Sequence, residues 1–188
     1  MNVSEIKHCD IANGAGVRVS VFVSGCRHRC RGCYNEAAWG FDAGVPFEDV
    51  EERIVNLLGT SFIDGLSVLG GEPLEPENQI VLAPFLERVK GMYPDKDVWM
   101  WTGFTYEGLR GSRADTEHLD RILSCVDVLV DGPFVEELRD ITLRFRGSSN
   151  QRIIKTTSVR LVEATPETPA FRRGEEGVPS DYDKITAC

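Results

Sequence analysis

A chain of 188 residues with 41% apolar residues has the size and composition of one globular domain, able to bury roughly 70% of its unfolded surface. Thirty acidic against 21 basic residues leave a formal charge of −9, which argues against a general nucleic-acid binder, because phosphate contacts need clustered Lys and Arg. The apolar stretches, such as residues 19–23, are far too short for a bilayer, and the start Met1-Asn2-Val3-Ser4-Glu5 lacks the pattern of a signal peptide, so the expected location is cytoplasmic, with no membrane partner.

The predicted elements alternate along the chain. Val17-Arg18-Val19-Ser20-Val21-Phe22-Val23 interleaves apolar and polar positions with strong β-branching and reads as a strand. It runs directly into Ser24-Gly25 and a cysteine-rich loop. Residues 46–58 place Val50, Ile54, Leu57 and Leu58 at helical spacing, with Pro46 suited to the first turn and Gly59 to the exit. Leu66-Ser67-Val68-Leu69 is a short strand ending at Gly70-Gly71. A helix is expected over 83–92, with Pro84 near its start because an interior proline breaks the hydrogen-bond ladder. Val98-Trp99-Met100-Trp101 is a strand ending at Thr102-Gly103. A helix over 116–125 precedes the strand Val126-Asp127-Val128-Leu129-Val130, which ends at Asp131-Gly132. Residues 152–155 supply one more strand. With no internal repeat, residues 1–162 are expected to form a single domain. Residues 163–188, rich in Thr, Pro, Glu, Arg and Gly, are expected to be a partly disordered tail.

Strands alternating with helices predict an α/β fold whose parallel sheet is covered by helices. A full eight-unit barrel takes about 250 residues, so a partial, open barrel of about five or six units is expected. In such sheets the reactive groups gather where strands end and loops begin. The cysteine loop, Gly70-Gly71, Thr102-Gly103 and Asp131-Gly132 all directly follow predicted strands, which points to one site.

That loop, Cys26-Arg27-His28-Arg29-Cys30-Arg31-Gly32-Cys33, carries the strongest chemical signal. Its C-x3-C-x2-C spacing offers three thiolates and no nearby fourth, as suits an iron–sulfur cluster with one iron left open for chemistry. A structural zinc site wants four ligands; Cys9 or His28 would have to complete it, and no second C-x2-C pair is present. Arg27, Arg29 and Arg31 favour deprotonated thiols and offset an anionic cluster; a solvated loop face and a docking surface for a partner are the other readings. Clustered cysteines in a reducing compartment read as metal ligands rather than disulfide partners, leaving Cys9, Cys125 and Cys188 as ordinary thiols. His28 is expected to order the loop rather than bind iron.

In Gly70-Gly71-Glu72-Pro73, two glycines let the backbone approach a ligand and Glu72 offers a carboxylate that could accept from an amino group. Asn35 is a candidate cofactor ligand or a cap for a following helix. Thr102 and Asp131, at strand ends, are candidates for contact with a bound cofactor or cation, with turn stabilisation as the alternative. Tyr34 packs either beside a bound ligand or in the core, and Asp10 and Asn13 are candidates for the mouth of the site. Trp99 and Trp101 read as packing residues. No Ser–His–Asp or paired-carboxylate arrangement supports hydrolysis.

With these motifs the chain resembles the radical S-adenosylmethionine superfamily. The resemblance implies that Cys26, Cys30 and Cys33 ligate three irons of a [4Fe–4S] cluster, that S-adenosylmethionine chelates the fourth, and that Gly70, Gly71, Glu72 and Pro73 hold its amino group. The segments Asp10-Ile11-Ala12-Asn13-Gly14-Ala15-Gly16-Val17-Arg18, Val23-Ser24-Gly25-Cys26, Cys33-Tyr34-Asn35, Trp101-Thr102-Gly103, Val128-Leu129-Val130-Asp131-Gly132-Pro133-Phe134 and Arg146-Gly147-Ser148-Ser149-Asn150-Gln151-Arg152 are similar to the glycyl-radical-enzyme activases that serve anaerobic ribonucleoside-triphosphate reductase. The likeness spans most of residues 8–155. It implies reductive cleavage of S-adenosylmethionine, hydrogen abstraction from one backbone glycine of that reductase, and an electron donor such as flavodoxin. Two departures from the wider pattern are Gly32, where many of the superfamily carry an aromatic residue and the reductase activators a glycine, and Ala15, where related activators often have proline. The rival readings are an activase of another glycyl-radical enzyme such as pyruvate formate-lyase, against which Gly32, Tyr34 and the 146–152 segment argue; a radical enzyme acting on a small molecule; and a zinc-binding interaction module.

Overall fold

The computed structural model describes residues 1–156. Seven strands form one sheet: β1 (Asn2–Asp10), β2 (Arg18–Val23), β3 (Val45–Pro46), β4 (Gly65–Gly70), β5 (Asp97–Trp101), β6 (Val128–Asp131) and β7 (Arg152–Lys155), in the spatial order β3-β1-β2-β4-β5-β6-β7. The centre, β2-β4-β5-β6, is parallel, while β1, β3 and β7 pair antiparallel at the two sides. Three helices make the crossovers: α1 (Glu51–Leu58), α2 (Pro76–Met92) and α3 (Leu119–Cys125). The fold is α/β, as expected. The described residues contain three β–α–β crossovers, however, where the alternation suggests five or six units. The reason lies at the sides: β7 returns from the same sheet edge at which β6 ends, without an intervening α-helix, and a short return of that kind produces an antiparallel neighbour.

The alternation along each strand sorts the two sheet faces. Val19, Val21 and Val23 of β2, Leu66 and Val68 of β4, Val98 and Met100 of β5 and Leu129 of β6 belong to the main core together with Ile54, Leu58, Leu82, Leu86, Val89 and Ile122 of the helices. Each such aliphatic side chain contributes about 2 kcal/mol through removal from water. The opposite face carries Phe22, Leu69, Trp99, Trp101, Val128 and Val130, and none of the described helices covers it. Trp99, Val128 and Val130 form a second, smaller cluster there with Trp101 and Phe145.

Helix α2 starts at Pro76, seven residues before the expected helix, and Pro84 lies inside it on the exposed side. An interior proline costs about 3 kcal/mol; the apolar run of Leu82, Ala83, Phe85, Leu86 and Val89, all buried, offsets that cost. The strand β1, not predicted, pairs along β2 with register shifts between Val3 and Glu5 and between Lys7 and Asp10. No described helix is long and apolar enough to cross a membrane. The tail expected at 163–188 lies outside the described residues.

Candidate functional site

Because β2, β4, β5 and β6 are parallel, their C-terminal ends meet at one sheet edge. Ser24-Gly25-Cys26, Gly70-Gly71-Glu72, Thr102-Gly103 and Asp131-Gly132 therefore stand side by side. Below them, on the helix-free face, opens a cavity of about 560 Å³, within the range of small-molecule sites. Cys26, Cys30, Cys33, Tyr34, Asn35, Gly70, Gly71, Glu72 and Thr102 line it, and Phe22, Leu69 and Trp101 give it an apolar wall. Pro73 and Asp131 do not line it.

Cys26, Cys30 and Cys33 are free thiols and half-buried. Burial pushes the Cys26 thiol up to about 11, against the backbone N–H groups of His28 and Arg29, which favour its thiolate. Burial also raises Cys30, with the backbone N–H of Phe134 acting the other way. The backbone N–H of Asn35 donates to Cys33 Sγ at 3.4 Å. Every sulfur thus has at least one backbone N–H aimed at it, an arrangement that stabilises cluster-bound thiolate. Burial opposes a bare thiolate, and a coordinated metal reverses that balance by deprotonating the thiol outright. Among the described residues no three His, Cys, Asp or Glu side chains converge on a single-ion site, which is what a zinc reading demands. Trp39 Nε1, on the cavity wall, is buried without a hydrogen-bond partner. At Gly71 an added Cβ would sit 2.6 Å from Gly25 O and 3.0 Å from Ala38 O, so the backbone there is as close to the cysteine loop as glycine permits. The donor set, the amides and the free indole N–H together fit an iron–sulfur cluster with an organic ligand beside it.

Glu72 is turned inward. Its side chain is 1% exposed; Oε1 accepts from the Leu74 N–H at 2.8 Å and from Thr102 Oγ1 at 2.9 Å, and Oε2 accepts from the Gly103 N–H at 2.7 Å. His28 Nε2 lies 3.0 Å from Oε2, without hydrogen-bond geometry. A carboxylate offers about four acceptor positions, so Glu72 is engaged in joining the ends of β4 and β5, and Thr102 joins it there. His28 packs edge-on against Phe104 at 4.5 Å and touches Gly103, whose added Cβ would meet its ring at 2.7 Å; it docks the cysteine loop onto the strand ends.

Asp131 is fully buried and accepts from the Tyr106 N–H at 2.7 Å and from Arg152 Nε at 3.0 Å, a closed arrangement behind the cavity. The segment 146–152 ties to the same strand end: Gln151 Nε2 donates to Gly132 O at 3.1 Å and Asn150 Nδ2 to Pro133 O at 2.8 Å. Asn35 sits ahead of a 3-10 turn, Glu36–Ala38, and its side chain makes no capping bond. Tyr34 is 95% exposed and stands on the rim, not in the core. Asn13 lines the cavity and donates to Asp10 Oδ2 at 2.6 Å; Asp10 is buried, does not line the cavity, and stands in strand register with Arg18. Trp101 lines the cavity and donates to Phe145 O at 2.9 Å while Trp99 stacks on it at 5.8 Å. Arg27 pairs with Glu75 and Glu77, and Arg31, largely exposed, with Glu136. Cys125 is a buried free thiol and Cys188 lies outside the described residues. Glu75 and Trp39 were not singled out from sequence; the repeat of Glu-Pro at 72–73 and 75–76 was the signal available for the first.

Residues 12–154 match a family model described as a 4Fe-4S single cluster domain. The chain is 48% identical over 161 residues to the anaerobic ribonucleoside-triphosphate reductase-activating protein of Pasteurella multocida (strain Pm70), covering 84% of this chain and 99% of that protein. Proteins of the same name from Escherichia coli (strain K12) and Enterobacteria phage T4 are 40% and 39% identical, covering 80% and 84% of this chain and 96% of each relative.

Proposed function

Because the chain belongs to the family of the anaerobic ribonucleoside-triphosphate reductase-activating proteins, we propose that its strand-end cavity is the place where a [4Fe–4S] cluster and S-adenosylmethionine meet a glycine of the reductase. The chain is a radical S-adenosylmethionine iron–sulfur enzyme, a glycyl-radical activase. The observation that carries the site assignment is the triad of free thiols, each met by at least one backbone N–H, opening into a cavity edged by Gly70 and Gly71.

Cys26, Cys30 and Cys33 would hold three irons of the cluster, which together with S-adenosylmethionine would supply reductive cleavage and hydrogen-abstraction chemistry. Gly70 and Gly71 let the methionyl end approach the β4 backbone, and Asn35 and Tyr34 close the other side. Glu72 and Thr102 set the spacing of β4 and β5 behind it; Pro73 turns the chain into α2, and Asp131 fixes the end of β6. Phe22, Leu69 and Trp101 exclude water from the reacting end. The sheet is a short, open form of the superfamily's barrel, with residues 1–162 as its domain. Its face that no described helix covers suits a target carried on another protein: a glycine Cα has no side chain to obstruct approach, and the flanking amide nitrogen and carbonyl stabilise a radical there. Flavodoxin as electron donor and a cytoplasmic location complete the reading.

The test is anaerobic reconstitution with iron and sulfide, then reduction with S-adenosylmethionine and the reductase. A glycine-centred electron paramagnetic resonance doublet with matching 5′-deoxyadenosine is expected, and Cys26→Ala, Cys30→Ala and Cys33→Ala should each abolish both. Nucleoside release without the doublet would move the activity to another substrate. A chain that takes up zinc in place of iron would overturn the assignment.

A further inference from the structure

One buried acid plays no part in the site as described. Glu75 stands at the N-cap position of α2 with its side chain 0% exposed, and it does not line the cavity. Its Oε1 accepts from the Arg27 N–H at 2.8 Å, and its Oε2 from the Arg27 guanidinium at 2.7 Å. Arg113 Nε reaches the two oxygens at 3.2 and 3.1 Å. The guanidinium of Arg113 lies over the Phe104 ring at 4.6 Å, and that ring holds His28 edge-on. Glu75 therefore grips the cysteine loop twice, directly at Arg27, next to Cys26, and through Arg113 and Phe104 at His28. The neighbouring Asn78 adds a third grip, donating to Ser24 O at 3.0 Å and Glu72 O at 2.9 Å.

A buried charge is a poor source of net stability, because desolvation consumes most of the Coulombic gain. What two charge-assisted partners on separate loops do supply is fixed geometry. A loop that must present three sulfurs to one cluster needs that geometry, since a first shell is only as ordered as the groups behind it.

We propose that Glu75 is a positioning residue for the iron-binding loop, holding residues 26–33 in a ligand-ready arrangement before iron arrives. The proposal rests on the reading of Cys26, Cys30 and Cys33 as cluster ligands. Its test compares the wild type with Glu75→Gln, Arg27→Gln and, as a distant ion-pair control, Arg88→Ala. Amide hydrogen exchange of the apo-protein, followed by mass spectrometry, should show the peptide over 26–33 exchanging faster in Glu75→Gln by on the order of tenfold, with α1 and α3 unchanged. Arg27→Gln, whose side chain is half-exposed, should show a smaller acceleration in the same peptide, and Arg88→Ala none. After reconstitution, Glu75→Gln should lose its cluster to a chelator faster than the wild type and broaden the paramagnetic signal of the reduced cluster.

Equal loop protection and equal cluster lifetime in Glu75→Gln and the wild type would overturn the positioning role alone. Accelerated exchange throughout the chain would also overturn it, reducing Glu75 to a contributor to global stability. A wild-type chain that loads no iron would instead overturn the reading of the loop.

Discussion

Replacing Glu72 by Gln tests whether this acid is a framework residue. The substitution keeps shape and removes charge. Glu72 now accepts from three donors of the protein, the N–H groups of Leu74 and Gly103 and the hydroxyl of Thr102. A glutamine oxygen can replace Oε1 toward Leu74 and Thr102, but its NH2 then faces the Gly103 N–H, donor against donor. One buried N–H loses its acceptor at about 1–3 kcal/mol, and the two remaining bonds lose their charge-assisted share, roughly another 1 kcal/mol. The sum, about 2–4 kcal/mol, is large for a domain whose whole stability is about 5–15 kcal/mol, and it lowers Tm by roughly 5–15 °C at this size. Calorimetry of the apo-protein measures it without any cluster present. A Tm within about 2 °C of wild type would mean that the three donors have other acceptors, and the framework role would fail. Glu77→Ala, removing an exposed partner of Arg27, should stay inside that margin.

Arg18→Met removes a fully buried guanidinium that donates to Ser67 Oγ at 2.6 Å, Ala15 O at 2.9 Å and Leu66 O at 2.8 Å and pairs with Asp97 at 2.7 Å. Urea unfolding should show a loss of about 3 kcal/mol, at the low end for a broken buried pair because Asp97 keeps solvent contact; a loss below about 1 kcal/mol contradicts that account. Asp10 has its pKa lowered below 3.8: burial raises it, and hydrogen bonds from Ser20, Asn13 and the Ala12 N–H outweigh burial. Its carboxylate is therefore favoured in the folded state, so the advantage of wild type over Asp10→Asn is full above about pH 4 and shrinks as pH falls through the lowered pKa. Urea midpoints of both proteins from pH 7 to pH 3 read this directly, and a difference that grows in acid would reverse the sign.

The features legible in the sequence are those whose signal is local. The cysteine spacing needs eight consecutive residues, and the strands β2, β4, β5 and β6 announce themselves by short, largely apolar runs that lead into Ser-Gly, Gly-Gly, Thr-Gly and Asp-Gly turns. Strand β1 hid because its two register shifts against β2 break the alternation that marks a strand. The first two turns of α2 hid because their inward positions Asn78 and Gln79 are polar; each amide is satisfied in part by the turn just before the helix, Glu72 O for one and Leu74 O for the other, and in part by a distant loop, Ser24 O and Ala114 O respectively. The antiparallel docking of β7 followed from the path of the 132–151 segment, which carries no periodicity. At the site, the three thiols, the glycine pair and Thr102 were legible. That the Glu72 carboxylate faces the protein, that Asp131 belongs to Arg152, and that Glu75 clamps the loop depend on pairings across 20 to 50 residues of sequence, which no local pattern encodes.

These pairings divide the acids of a chain carrying −9 into two populations with different consequences. Glu51, Glu52, Glu87 and Asp120 make ion pairs with arginines on solvated helix faces, where each pair contributes at most about 1 kcal/mol. Glu72, Glu75 and Asp131 are buried at the strand ends; Glu75 and Asp131 each accept from groups of two other segments, and Glu72 from the end of β5 as well as from its own turn. An apolar core could hold the sheet to its helices, and it does so on the opposite face. It could not hold three loops in register around a cavity, because dispersion contacts have no preferred direction, whereas a carboxylate accepting N–H and guanidinium donors fixes angle as well as distance. Sensitivity to removing an acid should therefore follow burial and the number of segments joined, not nearness to the cavity: Asp140, on the cavity wall but with a carboxylate that accepts from Thr142 beside it, should be replaceable at little cost to stability, and Asp131, off the wall, should not.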